Sequence, residues 1–93
     1  MKILEKFRRK AEVKNIVRDI TEKDKNRQHR RIAEYITDNH GITGWEAHEH
    51  LGIESFTKRI SEMRKLGYPL DFKWETGENR YGEKTRFKRW FFI

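Results

Sequence analysis

The chain lacks cysteine, has a single proline and contains no long hydrophobic run. Without cysteine it cannot form disulfides, use a thiol in catalysis or bind zinc through thiolates, and such a composition fits a reducing compartment. The longest apolar run, residues 90–93, is far shorter than a membrane span, and charges interrupt the first residues where a signal peptide needs apolar ones. We expect a cytoplasmic protein without a membrane segment.

Hydrophobic residues are also scarce, at 34% of 93 residues, whereas 40% are charged. These numbers allow one hydrophobic core but not two. Aromatic residues make up 13% of the chain, more than a disordered segment typically carries. The net charge of +7 is concentrated at the two ends, residues 1–20 and 67–93, and indicates a polyanionic partner: nucleic acid, an anionic membrane surface or an acidic protein.

The N-terminal segment has apolar residues at helical spacing, from Ile3 and Phe7 to Val17 and Ile20. We predict a basic amphipathic helix and linker over residues 1–23, followed by a separate domain over residues 24–93. The apolar stripe predicts a contact, either with the sheet of the same chain or with the same helix of a second chain. We favour a homodimer through residues 1–20, because the positive charge on the other faces would add phosphate contacts.

Three helices are predicted in the domain. The first runs from Asp24 or Asn26 to about Asn39, the second from Gly44 to His50 with Thr43 as its cap, and the third to Leu66 with Ser55 as its cap. Gly41 is expected to close the first helix in the left-handed conformation. The predicted inward residues are Ile32, Ala33, Tyr35 and Ile36, then Trp45, Ala47 and Leu51, then Phe56, Ile60 and Met63.

After Gly67 the hydrophobic period changes to two, which predicts two strands joined by an exposed loop over residues 76–84. Phe72, Trp74, Phe87 and Trp90 cannot all lie on one face of such a ribbon, so we expect a bulge or a ribbon that packs on both sides. We favour packing over base stacking for these aromatic residues. Three helices followed by a two-stranded wing form an α+β winged helix-turn-helix fold, here with an extra N-terminal helix.

The segment TGWEAHEHLGIESFTKRISEMRKLGYPL, Thr43 to Leu70, resembles the core of a family of small phage and prophage helix-turn-helix proteins. The sequence Asn79-Arg80-Tyr81-Gly82 resembles that family's wing, and the resemblance extends over about residues 29–92. Met63 and Leu70 replace the leucine and isoleucine that are usual in the family. The resemblance implies a winged-helix fold and binding to double-stranded DNA.

The predicted DNA-binding residues lie on the third helix and the wing. On the helix, the residues predicted to lie opposite the apolar face that contains Phe56 are Glu54, Lys58, Ser61 and Lys65. Arg59 and Arg64 lie at the flanks. An arginine at the wing tip could enter a minor groove. The full set is Ser55, Thr57, Lys58, Arg59, Ser61, Lys65, Arg80, Lys84 and Arg86.

The histidines do not predict a metal site, because His48 and His50 lie about 200° apart on a helix. His29 and His40 are expected on the polar surface, with His40 favouring a helix C-terminus. No cofactor, metal or catalytic residue is predicted, since no phosphate-binding glycine loop or nucleophile motif is present. We predict a non-enzymatic regulator of transcription or recombination. The alternative is a phage module that binds or inhibits a host protein, such as a nucleic-acid-guided defence complex; a membrane-surface role comes third.

Overall fold

A computed structural model describes residues 10–93, and the side chains from Glu12 onward. These residues form four helices and a three-stranded antiparallel sheet, whose short first strand lies between the second and third helices. The helices are α1 (Lys10–Lys23), α2 (Arg27–Asn39), α3 (Gly44–Leu51) and α4 (Phe56–Lys65), and the strands are β1 (Ile42–Thr43), β2 (Leu70–Glu78) and β3 (Lys84–Phe92). The predicted α+β fold is confirmed, with one short strand added.

The two long strands pair in one uninterrupted register, from Leu70 opposite Phe92 to Glu78 opposite Lys84. The ribbon therefore has two packing faces and no bulge. The loop predicted over residues 76–84 was too long, because pairing continues almost to the tip and leaves only residues 79–83 unpaired. Asn79 closes this tip, since its side-chain oxygen accepts hydrogen bonds from the backbone N–H groups of Tyr81 and Glu83.

β1 is the part of the sheet that periodicity missed. Ile42 and Thr43 pair with Trp90 and Arg89, so the sheet has the order β1-β3-β2. Thr43 also begins α3 with a capping box. The Thr43 hydroxyl accepts a hydrogen bond from the Glu46 N–H, and the Glu46 carboxylate accepts one from the Thr43 N–H. Ile42 and Thr43 thus attach the start of the helix-turn-helix to β3 of the wing.

The predicted closure of α2 was wrong by one residue. His40, not Gly41, takes the left-handed conformation, with φ of 62°. Gly41 is needed instead for close packing, since a Cβ there would lie 2.9 Å from the Arg89 side chain. Between α3 and α4, Gly52 has φ of 66° and its N–H bonds to the His48 carbonyl, so it makes the tight turn that the sequence predicts.

The core lies between the helices and the base of the wing. Its buried members include Ile32, Ala33 and Ile36 of α2, Ala47 of α3, Phe56, Ile60 and Met63 of α4, and Leu70 and Trp90 of the sheet. Tyr35 and Leu51 are only partly buried. The prediction that Trp45 points inward was wrong, because its side chain is 66% exposed and packs edge-on against His50 instead.

α1 packs on this domain rather than standing apart from it. Val17 belongs to the buried core, and Val13 and Ile20 pack against it. The helix also continues through Lys23, where a linker was predicted, so the connection to α2 is only residues 24–26. The predicted stripe residues Ile3 and Phe7 lie outside the described residues. No helix among residues 10–93 is long and apolar enough to cross a membrane.

Candidate nucleic-acid interface

α4 presents a polar face to solvent over its whole length. Ser55, Thr57, Lys58, Ser61 and Lys65 are all exposed there, opposite the buried Phe56, Ile60 and Met63. We call these five residues the helix face. Ser55 precedes the helix but makes no capping hydrogen bond with its side chain, contrary to its predicted role. The Ser55 side chain therefore satisfies none of the first N–H groups of α4.

Arg59 differs from the other predicted residues on α4. It is half-buried, its guanidinium lies 3.3 Å from the Glu62 carboxylate, and its Nε is buried without a hydrogen-bond partner among the described residues. The structure thus places Arg59 at the packed flank of α4, apart from the helix face.

A buried ion cluster behind α4 fixes the orientation of the helix. His29 is 3% exposed, so its predicted surface position was wrong. Its Nδ1 lies 2.9 Å from Asp24 Oδ2 and its Nε2 lies 2.9 Å from Glu62 Oε1. Both ring nitrogens thus lie at hydrogen-bond distance from a carboxylate oxygen. Tyr68, just after α4, donates its hydroxyl to the same Asp24 oxygen at 2.8 Å.

The acid groups of this cluster have shifted pKa values. Burial raises the pKa of Asp24, but hydrogen bonds from the Asn26 N–H, the Tyr68 hydroxyl and His29 outweigh burial and lower it overall. The hydrogen bond from His29 lowers the pKa of Glu62. Burial, together with the bond to Asp24, raises the pKa of the Tyr68 hydroxyl. The carboxylates therefore stay charged and hold α2, α4 and the start of β2 together.

The two faces of the wing differ in charge. On one face Arg89 is neutralised, since its guanidinium donates to Glu75 and Glu46, each at 2.9 Å. Burial lowers the pKa of Arg89, but these two bonds outweigh it and raise the pKa overall, while the bond from Arg89 lowers the pKa of Glu75. This face holds the sheet on α3 and has little charge to offer an anion.

The opposite face of the wing has unpaired cations and exposed aromatic surface. Trp74, Lys84, Arg86 and Lys88 lie on it because they are even-numbered residues in a register that pairs even with even. We call these four residues the basic wing face. Among the described residues, none of its three cations forms an ion pair with a carboxylate.

Aromatic rings lie beside two of the three cations of this face, Arg86 and Lys88. The Arg86 guanidinium lies 4.6 Å from the Trp74 ring centroid, and the Lys88 ammonium lies 4.4 Å from that of Phe72. At the base of the wing, the Arg64 guanidinium of α4 lies 5.6 Å from the Trp90 ring centroid. Arg64 therefore links α4 to Trp90, which lies on the same side of the ribbon as the basic wing face.

The structure thus brings Lys84 and Arg86 together with Lys88, which the set of predicted site residues did not include. Arg80 is exposed at the tip beside Tyr81, which is 77% exposed. Trp74 was assigned to packing from sequence but is 53% exposed. The signal that could have located it is its strand position opposite Lys88, since a residue paired with an exposed lysine lies on the solvent side of the ribbon.

A tight helix-turn-helix of α3 and α4, followed by a long hairpin that packs beside it, defines the winged helix-turn-helix class of domains. A family model described as a winged helix-turn-helix domain matches residues 27–92, and the chain belongs to this family. Searches of curated proteins and of solved structures find no match. The match begins at the first residue of α2, so α1 is an addition to the family's domain.

Proposed function

We propose that this protein binds double-stranded DNA without enzymatic activity, with α4 in the major groove and the wing beside it, and that it regulates transcription or recombination in a phage or prophage. The observation that carries the proposal is the distribution of charge around α4. The helix face and the basic wing face together carry five exposed cations that form no ion pair among the described residues: Lys58, Lys65, Lys84, Arg86 and Lys88. Arg64 of α4 contacts Trp90 at the base of the same wing face.

The helix face has the chemistry that base edges and phosphates require. Lysines meet guanine acceptors or phosphates, and Ser and Thr hydroxyls donate or accept at short range. The uncapped N-terminus of α4 adds N–H donors for a phosphate at the edge of the groove. Glu46 and Glu75 bind Arg89, whereas Glu78, opposite Lys84 on the wing, and Glu54, next to Ser55, are exposed acidic residues at the edge of these surfaces.

The experiment is a titration of purified protein against a short duplex by fluorescence anisotropy at several salt concentrations. Binding that weakens linearly in log Kd with log salt, with a slope near 0.9 per neutralised phosphate, supports the proposal. Competition with a scrambled duplex then separates sequence-specific from general binding.

A second candidate function is a module that binds a host protein, and one feature favours it. Trp45 is exposed and contacts His50, whose ring stacks on Tyr35 at 6.0 Å between centroids. Exposed tryptophan and tyrosine are typical of protein interfaces. This candidate requires protein binding that Trp45→Ala abolishes and that a DNA competitor leaves unchanged.

A further inference from the structure

Trp74 is the largest exposed apolar side chain of the wing strands, and packing within the described residues does not account for it. Its side chain is 53% exposed, whereas its neighbours on the same face toward the core, Phe72 and Trp90, are partly or fully buried. A tryptophan left in water at this level usually serves a contact.

The surroundings of Trp74 fit an aromatic base better than an apolar protein surface. The Arg86 guanidinium lies 4.6 Å from its ring centroid and the Lys88 ammonium lies 5.4 Å from it. These cations would lose hydration against an apolar partner without gaining an ion pair. Beside nucleic acid, they would neutralise the phosphates on either side of a base stacked on the indole or on the guanidinium.

A base in an intact duplex cannot make this contact, because its two faces are covered by its neighbours in the stack. Phe72 and Trp90 are paired across the ribbon, and Trp74 follows Phe72 by two residues on the same face. Two residues of a strand span about 7 Å, so Trp74 lies about that much farther from the core. A duplex bound at the helix face would thus have its flank, rather than its centre, beside Trp74.

We propose that Trp74, with Arg86 and Lys88, is a stacking site for an unpaired base, so that the protein prefers duplex DNA that continues into a single strand over blunt duplex DNA. This inference rests on the proposed function, since the duplex portion is held by the helix face. It extends that function by identifying the preferred DNA as a junction between double-stranded and single-stranded DNA.

The test compares three labelled DNAs by anisotropy: a blunt duplex, the same duplex with a four-nucleotide 3′ extension, and one with a 5′ extension. We expect one of the extended DNAs to bind about 5- to 100-fold more tightly than the blunt one, the range that stacking of one base supplies. Trp74→Ala should weaken binding of the extended DNA more than binding of the blunt duplex, so that the ratio of the two affinities falls to about one. Trp74→Phe, which keeps a ring, should restore part of the preference.

The matched control is Trp45→Ala, which removes another exposed tryptophan, on α3, and should leave the preference intact. Tryptophan fluorescence gives a direct readout in Trp45→Phe protein, where Trp74 is the exposed indole and Trp90 is buried. Extended DNA should quench this emission more than blunt DNA does. Thermal melts show whether each variant is folded.

Equal binding of blunt and extended DNAs by the unmodified protein would overturn the inference while the proposed function stands. A preference that persists in folded Trp74→Ala protein would also overturn it, since another group would then read the single strand. Failure to bind any of the three DNAs would overturn the proposed function, and the inference with it.

Discussion

His29 Nε2 and Glu62 Oε1 lie 2.9 Å apart and join α2 to α4 across a separation of 33 residues. This contact, together with the bond from His29 to Asp24, sets the position of the helix that we propose to enter the major groove. The side chains of His29 and Asp24 are buried, so loss of one partner leaves buried polar atoms without their hydrogen bonds and destabilises the fold.

Replacing His29 with alanine should therefore lower the free energy of unfolding by about 3 kcal/mol. The reason is the loss of two charge-assisted hydrogen bonds from a side chain that is 3% exposed. Urea denaturation followed by circular dichroism measures the change. His48→Ala, on the exposed side of α3, is the control and should change stability by less than about 0.5 kcal/mol. Equal effects of the two substitutions would contradict a structural role for the cluster.

The same cluster predicts acid sensitivity. The pKa values of Asp24 and Glu62 are lowered in the folded state from ordinary values of 3.8 and 4.5, so their contribution to stability is complete above those values and is lost as pH falls through the folded ones. Melting temperature should fall steeply below about pH 4. Asp24→Asn should be less stable at pH 7 and show a shallower fall in acid. A variant as steep as the parent protein would exclude Asp24 as a source of the pH dependence.

On the helix face, Lys58→Ala combined with Lys65→Ala should weaken duplex binding and leave the fold intact, because both side chains are exposed. The slope of log Kd against log salt should fall by about 0.9 for each phosphate contact removed. An unchanged slope and affinity would remove α4 from the interface. Lys73→Ala is the matched control, since Lys73 lies on the other wing face and pairs with Glu75 at 3.7 Å.

At the wing tip, Arg80→Ala should reduce duplex binding with little change in melting temperature. The tip is held by Asn79 rather than by Arg80, whose side chain is exposed. A lower melting temperature with unchanged binding would make Arg80 a structural residue.

The homodimer predicted through residues 1–20 needs a narrower test, because Val17 is buried in its own chain and a deletion of all 20 residues would open the core. Removal of residues 1–9 leaves α1 intact. If the first nine residues mediate a dimer, the full chain sediments as a dimer and the shortened one as a monomer. A full chain that sediments as a monomer at high micromolar concentration, with and without DNA, ends the dimer proposal.

The sequence predicts the helices and the wing because their apolar residues recur with a clear period over many positions. It does not predict β1, because a strand of two residues shows no hydrophobic period. It does not predict the burial of His29 either, because the partners of His29, Asp24 and Glu62, lie 5 and 33 residues away in the chain. The exposure of Trp45 is not predictable from the sequence, because a helix of eight residues has too few positions to define an inward face. Exposure of Trp74 depends on strand register, which only the paired partner reveals.

Binding of double-stranded DNA through α4 and the wing is tested by anisotropy at physiological salt. The full chain is compared with a variant in which Lys58, Lys65, Arg86 and Lys88 are all replaced by glutamine. We expect the parent protein to bind the duplex saturably, with an affinity that weakens as salt rises. The folded variant should lose at least about 100-fold in duplex affinity and show a flatter dependence of log Kd on log salt. Equal duplex affinity of the two proteins, or the absence of binding by the parent, would contradict binding through α4 and the wing.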